Sequence, residues 1–198
     1  MTRDTAITEW VRRLGAGDGQ ALEAVIPLLY DELRALAGHQ LRQERPDHTL
    51  SATGLVHEAW LRLSRQRRIA AEDRAQFLSI AGATMRRVLV DWARTKKRAK
   101  RGGGQADLPL SAVEEFLTVE EAEELLALDD ALARLEVVNE RGARVVEHRF
   151  FAGLSQEETA EALGISPKTV QRAWVAARAW LRKEVQQDLA LDPPLTAP

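Results

Sequence analysis

The chain contains 198 residues, of which 45% are hydrophobic and 29% are charged, with a formal net charge of -2. This balance supplies a hydrophobic core and excludes a wholly disordered chain. The sequence contains no cysteine, which excludes disulfides and thiolate metal sites, and its four histidines do not cluster, so no cofactor is expected. Without a signal-peptide pattern or a long apolar run, we expect a cytoplasmic protein and no membrane insertion.

Two helices are predicted at the start of the chain. Residues 5–14 give a short helical pattern that stops at GAGDG. Asp18 can cap a second helix, in which apolar residues recur at three- and four-residue intervals over 22–36. The stretch 42–54, RQERPDHTLSATG, then reads as a connection.

A third helix is predicted over residues 54–65, with Ser51 or Thr53 as its cap. One face of this helix is apolar and the other carries charges. A basic loop, SRQRRIAAEDRA, comes next at residues 64–75. The chain to this point therefore shows helical spacing and no alternating strand pattern.

The next helix is predicted from Gln76 to about Arg98, and its apolar spacing favours a core position for Trp92. Its end is strongly basic, since residues 86–101 contain eight bases and one acid, a local charge of +7. Residues 105–130 contain nine acids and no base, a local charge of -9. Three glycines lie between these blocks, so we predict a flexible acidic linker over 102–124.

The most specific local pattern lies near the C-terminus. Ser155 and Glu158 have the spacing of a capping box, which predicts a helix start. Gly164 allows a sharp turn, Ser166 can cap a second helix, and Pro167 suits the first position of that helix. These positions together predict a helix-turn-helix.

The second helix of this motif has a polar and mainly basic face that a DNA major groove can accept. Its apolar face is formed by Val170, Trp174, Ala177 and Leu181. The candidate DNA-contacting residues are Ser166, Pro167, Lys168, Thr169, Gln171, Arg172, Val175 and Arg178. The alternative is an amphipathic hairpin whose bases are only solvated, and the caps and the glycine favour DNA contact over it.

The order of these motifs resembles the bacterial RNA polymerase sigma factors of the sigma-70 class, in the extracytoplasmic-function (ECF) group. LVHEAWLRL at 55–63 resembles the region 2.2 helix that binds core polymerase. FLSIAGATMRRVLVDWARTKKR at 77–98 resembles regions 2.3 and 2.4, and residues 144–185 resemble region 4. The resemblance covers nearly the whole chain and implies an all-α protein with two small helical domains.

By this resemblance, residues 1–101 form a region 2-like domain and residues 125–188 a region 4-like domain, with a disordered tail at 189–198. The first would dock on the clamp helices of the polymerase's largest subunit and help to open the -10 element. The second would read the -35 element and meet the flap region of the second-largest subunit. The partners implied are thus core RNA polymerase and promoter DNA, and an anti-sigma factor is a further partner that the resemblance allows.

The resemblance also distributes candidate residues over the N-terminal part of the chain. Those assigned to the -10 element and its backbone are Arg67, Arg68, Arg86, Arg87, Asp91, Arg94, Lys96, Lys97 and Arg98. Those assigned to core docking are Leu55, His57, Glu58, Trp60, Leu61 and Arg62. Two positions depart from the common pattern of the group: His57 replaces a glutamine, and Arg87 replaces an asparagine, so the -10 element is expected to be read differently.

Two other classes of function compete with this interpretation. A stand-alone helix-turn-helix regulator would bind duplex DNA without a core-docking helix. This class is disfavoured because the chain contains LVHEAWLRL, which resembles such a helix. An enzyme is disfavoured because the sequence has neither a phosphate-binding glycine loop nor a nucleophile with a base at a recognisable spacing. The acidic linker admits two roles, occupation of the polymerase's RNA path or a solvated tether, and the sequence leaves both open.

Overall fold

The computed structural model describes residues 3–41, 49–66, 68–100 and 118–191. Over these ranges the chain forms α-helices and one π-helical turn, with no β-strand, which confirms the all-α prediction. The helices are α1 (Arg3–Gly15), α2 (Ala21–Gln40), α3 (Thr49–Ser64), α4 (Arg74–Lys100), α5 (Val119–Val138), α6 (Glu140–Val146), the π turn (Glu147–Phe151), α7 (Gln156–Leu163) and α8 (Pro167–Leu191). No described helix combines the length and the apolar character needed to span a bilayer.

The described residues pack as two compact units. The first comprises those within Met1–Val88 and Glu147–Pro167, and the second those within Leu89–Val146 and Lys168–Pro198. Helix α4 therefore contributes its first half to one unit and its second half to the other. These units are defined by packing, and the functional domains 1–101 and 125–188 stay a prediction.

In the first unit, α1 packs on α2 and α2 packs on α3. The predicted apolar faces form the core, with Leu29, Leu55 and Phe77 each 0% exposed. Helix α3 begins at Thr49, so the prediction that Ser51 or Thr53 caps it is wrong. The reason is that buried Ala52 lies one turn before Leu55 and extends the apolar face upstream.

In the second unit, α5 begins at Val119, so the last six residues of the predicted linker 102–124 are helical. A capping box starts the helix: the Thr118 hydroxyl accepts from the backbone N–H of Glu121 at 3.1 Å, and the Glu121 carboxylate accepts from the backbone N–H of Thr118 at 2.6 Å. Residues 102–117 of the predicted linker lie outside the described residues.

Helix α8 is longer than the sequence predicts, since it runs to Leu191 and includes the first three residues of the predicted tail. Its last turns are tied to α5 by Arg134. This guanidinium lies 3.2 Å from the Glu184 carboxylate and 2.7 Å from that of Asp188. These contacts come from residues about fifty positions apart, which explains why local pattern alone does not predict them.

Candidate nucleic-acid interface

The helix-turn-helix pattern of the sequence has the predicted local geometry. The Ser155 hydroxyl accepts from the N–H of Glu158 at 3.1 Å, and the Glu158 carboxylate accepts from the N–H of Ser155 at 2.7 Å. Gly164 ends α7 in the left-handed region, with φ +63°, which a side chain would strain. Helix α8 then begins at Pro167, as predicted.

Helix α8 has one buried and one exposed face. Val170, Ala177 and Leu181 are buried as the sequence predicts, and Trp174 is half-buried. The candidate contact residues that are exposed on or just before this helix are Ser166, Pro167, Lys168, Gln171, Arg172, Val175 and Arg178, whereas Thr169 is half-buried. The exposed face is therefore available for a partner.

The exposed side chains of α8 are the types that read base edges. Arginine and glutamine, here Arg172 and Gln171, can donate and accept in the two-bond patterns that guanine and adenine present in the major groove. Val175 is 57% exposed, an unusual position for an aliphatic side chain, and its methyl groups suit a thymine methyl. The Arg178 guanidinium lies 5.4 Å from the centre of the Trp174 ring, which orients it along the helix.

The first half of α4 carries Arg86 and Arg87, and they differ in accessibility. Arg87 is exposed. Arg86 is covered: only 18% of its side chain is exposed, its guanidinium lies 3.6 Å from the Glu147 carboxylate, and the ring centre of Phe151 is 5.1 Å away. Arg87 is therefore accessible at the surface, whereas Arg86 is largely covered by Glu147 and Phe151.

The second half of α4 carries the remaining basic candidates. Arg94 and Arg98 are exposed, while Asp91, Lys96 and Lys97 are half-buried. The Arg94 guanidinium lies 3.6 Å from the carboxylate of Asp129 on the acidic part of α5. Trp92 is 4% exposed, which confirms its predicted core position.

The loop between α3 and α4 is anchored at one of its predicted DNA-binding arginines. Arg68 is exposed and donates from Nε to the backbone carbonyl of Gly15 at 3.0 Å. Arg67 lies outside the described residues. The placement of Arg68 gives the loop a fixed point beside the end of α1.

One of the core-docking candidates on α3 is buried, and the others are exposed or half-buried. Leu55 is fully buried and packs the helix onto the core of its unit. The exposed His57 ring lies 5.5 Å from that of half-buried Trp60, and the Arg62 Nε lies 3.4 Å from the Glu58 carboxylate, with 27% of each of these two charged side chains exposed. Leu61 is half-buried. The surface that α3 offers is thus a mixture of aromatic and paired charged groups.

Sequence reasoning missed the residues that cover α4. Glu147 and Phe151 lie on Arg86, and Asp129 pairs with Arg94. A local signal existed at one point, since an isolated glycine at position 82 inside a helical pattern often marks a close contact. In the part of the chain that the structure describes, no group of side chains is arranged to hold a metal ion.

Comparison with known proteins gives one match. A family model described as ECF sigma factor matches residues 4–187, which is nearly the whole chain. No curated protein and no solved structure matches the chain.

Proposed function

Because this chain belongs to the ECF sigma factor family, we propose that it directs core RNA polymerase to promoters, reading the -35 element with α8 and opening the -10 element with the N-terminal part. A sigma factor acts in transcription initiation, with the RNA polymerase core and promoter DNA as its partners. The observation that carries the finer assignment is the exposed face of α8, where Lys168, Gln171 and Arg172 lie opposite a buried apolar face.

The division of labour arises from the chemistry of the two DNA states. Reading a duplex needs a helix that fits the major groove and presents hydrogen-bonding groups, which α8 supplies. Opening a duplex needs cations along the backbone, which the exposed Arg87, Arg94 and Arg98 supply on α4. The surface of α3 around His57, Glu58 and Arg62 is assigned to the clamp helices of the largest subunit.

Run-off transcription with purified core polymerase tests this proposal. A pool of promoter fragments is transcribed with core alone and with core plus this chain, and the chain should yield promoter-dependent transcripts that share a -35 and a -10 sequence. Binding of the chain to duplex DNA without any promoter-dependent transcript would instead support a stand-alone regulator.

The same assay assigns Arg172. Replacing it by alanine should lower selectivity at one position of the -35 element by about 1–3 kcal/mol if the guanidinium reads a base. Arg12→Ala removes an exposed arginine of α1 and serves as the matched control, with unchanged selectivity. An equal loss on all sequences would reassign Arg172 to a phosphate.

A further inference from the structure

The C-terminal end of α1 is closed by a residue of the loop between α3 and α4. The last carbonyls of a helix have no partner inside the helix. At the end of α1, the carbonyls of residues 12–14 accept from the backbone N–H groups of residues 16–18. The carbonyl of Gly15 accepts instead from Arg68 Nε at 3.0 Å. A cation also suits the negative end of the helix dipole, so Arg68 serves as a cap for α1.

The backbones of α1 and this loop touch at Gly15. A Cβ built on Gly15 would overlap the carbonyl oxygen of Ala71 and would lie 3.3 Å from its carbonyl carbon. Gly15 does not have a positive φ, so the close approach explains the glycine and the backbone conformation does not. A larger residue at position 15 would push the loop away from α1.

The described part of the loop turns alternate residues inward. Ile69 and Ala71 are 3% and 1% exposed, whereas Arg68, Ala70 and Glu72 are exposed. The N–H of Ala71 donates to the carbonyl of Ile69 at 2.9 Å, which makes a tight turn between the two buried residues. The position of the exposed residues is therefore set by the buried ones.

The far end of the loop is fixed by the start of α4. Asp73 precedes this helix, and its carboxylate accepts from the N–H of Gln76 at 2.8 Å. The amide oxygen of Gln76 accepts in return from the N–H of Glu72 at 3.0 Å. Reciprocal bonds of this kind cap the start of a helix. The loop is thus held at α4 by its own residues and at α1 by the contact with Gly15.

The end of α1 is braced by side chains of its own. The Arg13 guanidinium lies 4.2 Å from the centre of the Trp10 ring and donates to the Asp18 carboxylate at 2.6 Å from Nη2 and 3.0 Å from Nε. The same carboxylate accepts from the N–H of Gln20 at 3.0 Å, just before α2. The loop therefore rests on a well-supported point of the fold.

This loop carries two of the candidate residues for the -10 element, Arg67 and Arg68. Opening a duplex needs a surface that binds an unpaired strand. A loop that is already ordered loses less conformational entropy when it binds, so its binding energy is available for opening. The anchor at α1 supplies such order. It also gives Arg68 a role that needs no contact with DNA.

We propose that the C-terminal end of α1 positions this loop for the opened -10 strand, with Gly15 and Arg68 as positioning residues. The proposal rests on the proposed sigma function. Arg68 then acts through the carbonyl of Gly15. Helix α1, which carries none of the candidate contacts to DNA or core polymerase, thereby takes part in promoter opening.

Promoter opening by the full chain with core polymerase tests the role of Gly15. The probe is a promoter fragment recovered in the run-off assay, and the permanganate reactivity of its unpaired thymines reports opening. Gly15→Ala should lower the rate of opening about tenfold, because it shifts the loop from its place. Gly19→Ala, where a Cβ meets nothing within 4 Å, is the control and should open the promoter at the native rate. The affinity of Gly15→Ala for core polymerase without DNA should stay within about twofold of the native value.

Two substitutions of Arg68 separate positioning from DNA contact. Arg68→Gln places an amide Nε2 donor as many bonds from Cα as the arginine Nε, and it removes the charge. Arg68→Lys keeps the charge and places a methylene at that point. Positioning predicts that Arg68→Gln opens the promoter about threefold to tenfold faster than Arg68→Lys, which is the value of one hydrogen bond. A contact with a DNA phosphate predicts the reverse order.

The outcomes separate this proposal from the sigma function. Promoter-dependent transcription by the native chain, with equal rates of opening for Gly15→Ala and Gly19→Ala, would overturn the positioning role and leave the function intact. A native chain that yields no promoter-dependent transcript would overturn both. If circular dichroism shows that Gly15→Ala is unfolded, then the two Arg68 variants decide, and equal or faster opening by Arg68→Lys would count against positioning.

Discussion

The two halves of helix α4 are covered in different ways. Residues 74–88 are covered by residues 147–158 through close backbone contact at Gly82 and the buried Phe151 ring. Residues 89–100 share a unit with the acidic helix α5; they bury Trp92 and also carry the charge pair of Arg94 and Asp129. A buried contact such as that of Phe151 depends on shape, whereas a partly exposed charge pair such as that of Arg94 is screened by salt. One helix thus carries two surfaces that respond to different conditions.

The largest effect is expected at the buried ring of Phe151. Phe151→Ala removes a buried ring and leaves a cavity, so it should lower the free energy of unfolding by about 3–5 kcal/mol. Phe150→Ala, at a half-buried position, should cost less. Urea unfolding at about 50 mM and about 500 mM salt measures both, and the loss should be the same at both salt concentrations. A loss that shrinks with salt would remove the distinction between the two kinds of contact.

The basic end of α4 should dominate DNA binding. Replacing Lys96, Lys97 and Arg98 together by alanine should weaken promoter binding about tenfold to a hundredfold at low salt and reduce the slope of log K against log salt by about 2–3. Binding of the polymerase complex at several salt concentrations measures this slope. Alanine at the exposed Arg12, Arg34 and Arg141 is the control of equal charge. An unchanged slope would remove the three residues from the DNA surface.

The pH dependence of the contact between Arg74 and Glu158 is set by the Glu158 carboxyl. Its pKa is lowered chiefly by the backbone hydrogen bond from Ser155, against an opposing effect of burial, and further by the Ser155 hydroxyl and Arg74. A lowered pKa in the folded state means that stability is present above the usual value of 4.5 and is lost as pH falls through the lowered one.

Glu158→Gln should therefore remove part of the stability change between about pH 5 and pH 3, by less than about 1 kcal/mol because the side chain is partly exposed. Urea unfolding of both proteins over this range measures the difference. The reverse sign, with the native chain gaining stability over the variant as pH falls, would contradict the assignment.

The smallest effect is expected for the charge pair itself. Asp129→Asn keeps the shape of the side chain and removes its charge, and 57% of the Arg94 side chain is exposed. The loss should be about 0.2–1 kcal/mol at low salt and vanish at high salt. Thermal unfolding at the two salt concentrations measures it. A loss that persists at high salt would show that Asp129 stabilises the fold by more than its charge.

Much of the local structure could be predicted from the sequence. The capping box of Ser155 and Glu158, the turn at Gly164 and the core position of Trp92 are all confirmed, because each depends on residues within one or two turns. The prediction misses the start of α5, although Thr118 and Glu121 have the same capping-box spacing. The run of acids around them indicates a linker when only its charge is considered.

The cover over α4 could not be predicted, because it joins residues far apart in the sequence. Gln40 and Phe151 are 111 positions apart, and Arg74 and Glu158 are 84 positions apart. No periodicity of one helix specifies which segment packs on it. The sequence correctly predicts that the basic residues of α4 lie on a helix, but the accessibility of Arg86 depends on these distant contacts.

Because residues Glu147–Phe151 form a π turn, the packing of this segment depends on how many residues it contains as well as on which residues they are. Its bond from the N–H of Ala152 to the carbonyl of Glu147, at 2.9 Å, spans five residues and so encloses one residue more than an α turn. Losing one residue there would return the turn to α geometry and rotate the downstream chain by about 100°. The Phe151 carbonyl would then face away from Gln40. A single-codon deletion in this turn should therefore disturb the packing of Phe151 against Gln40 and Gly82 more than most substitutions nearby.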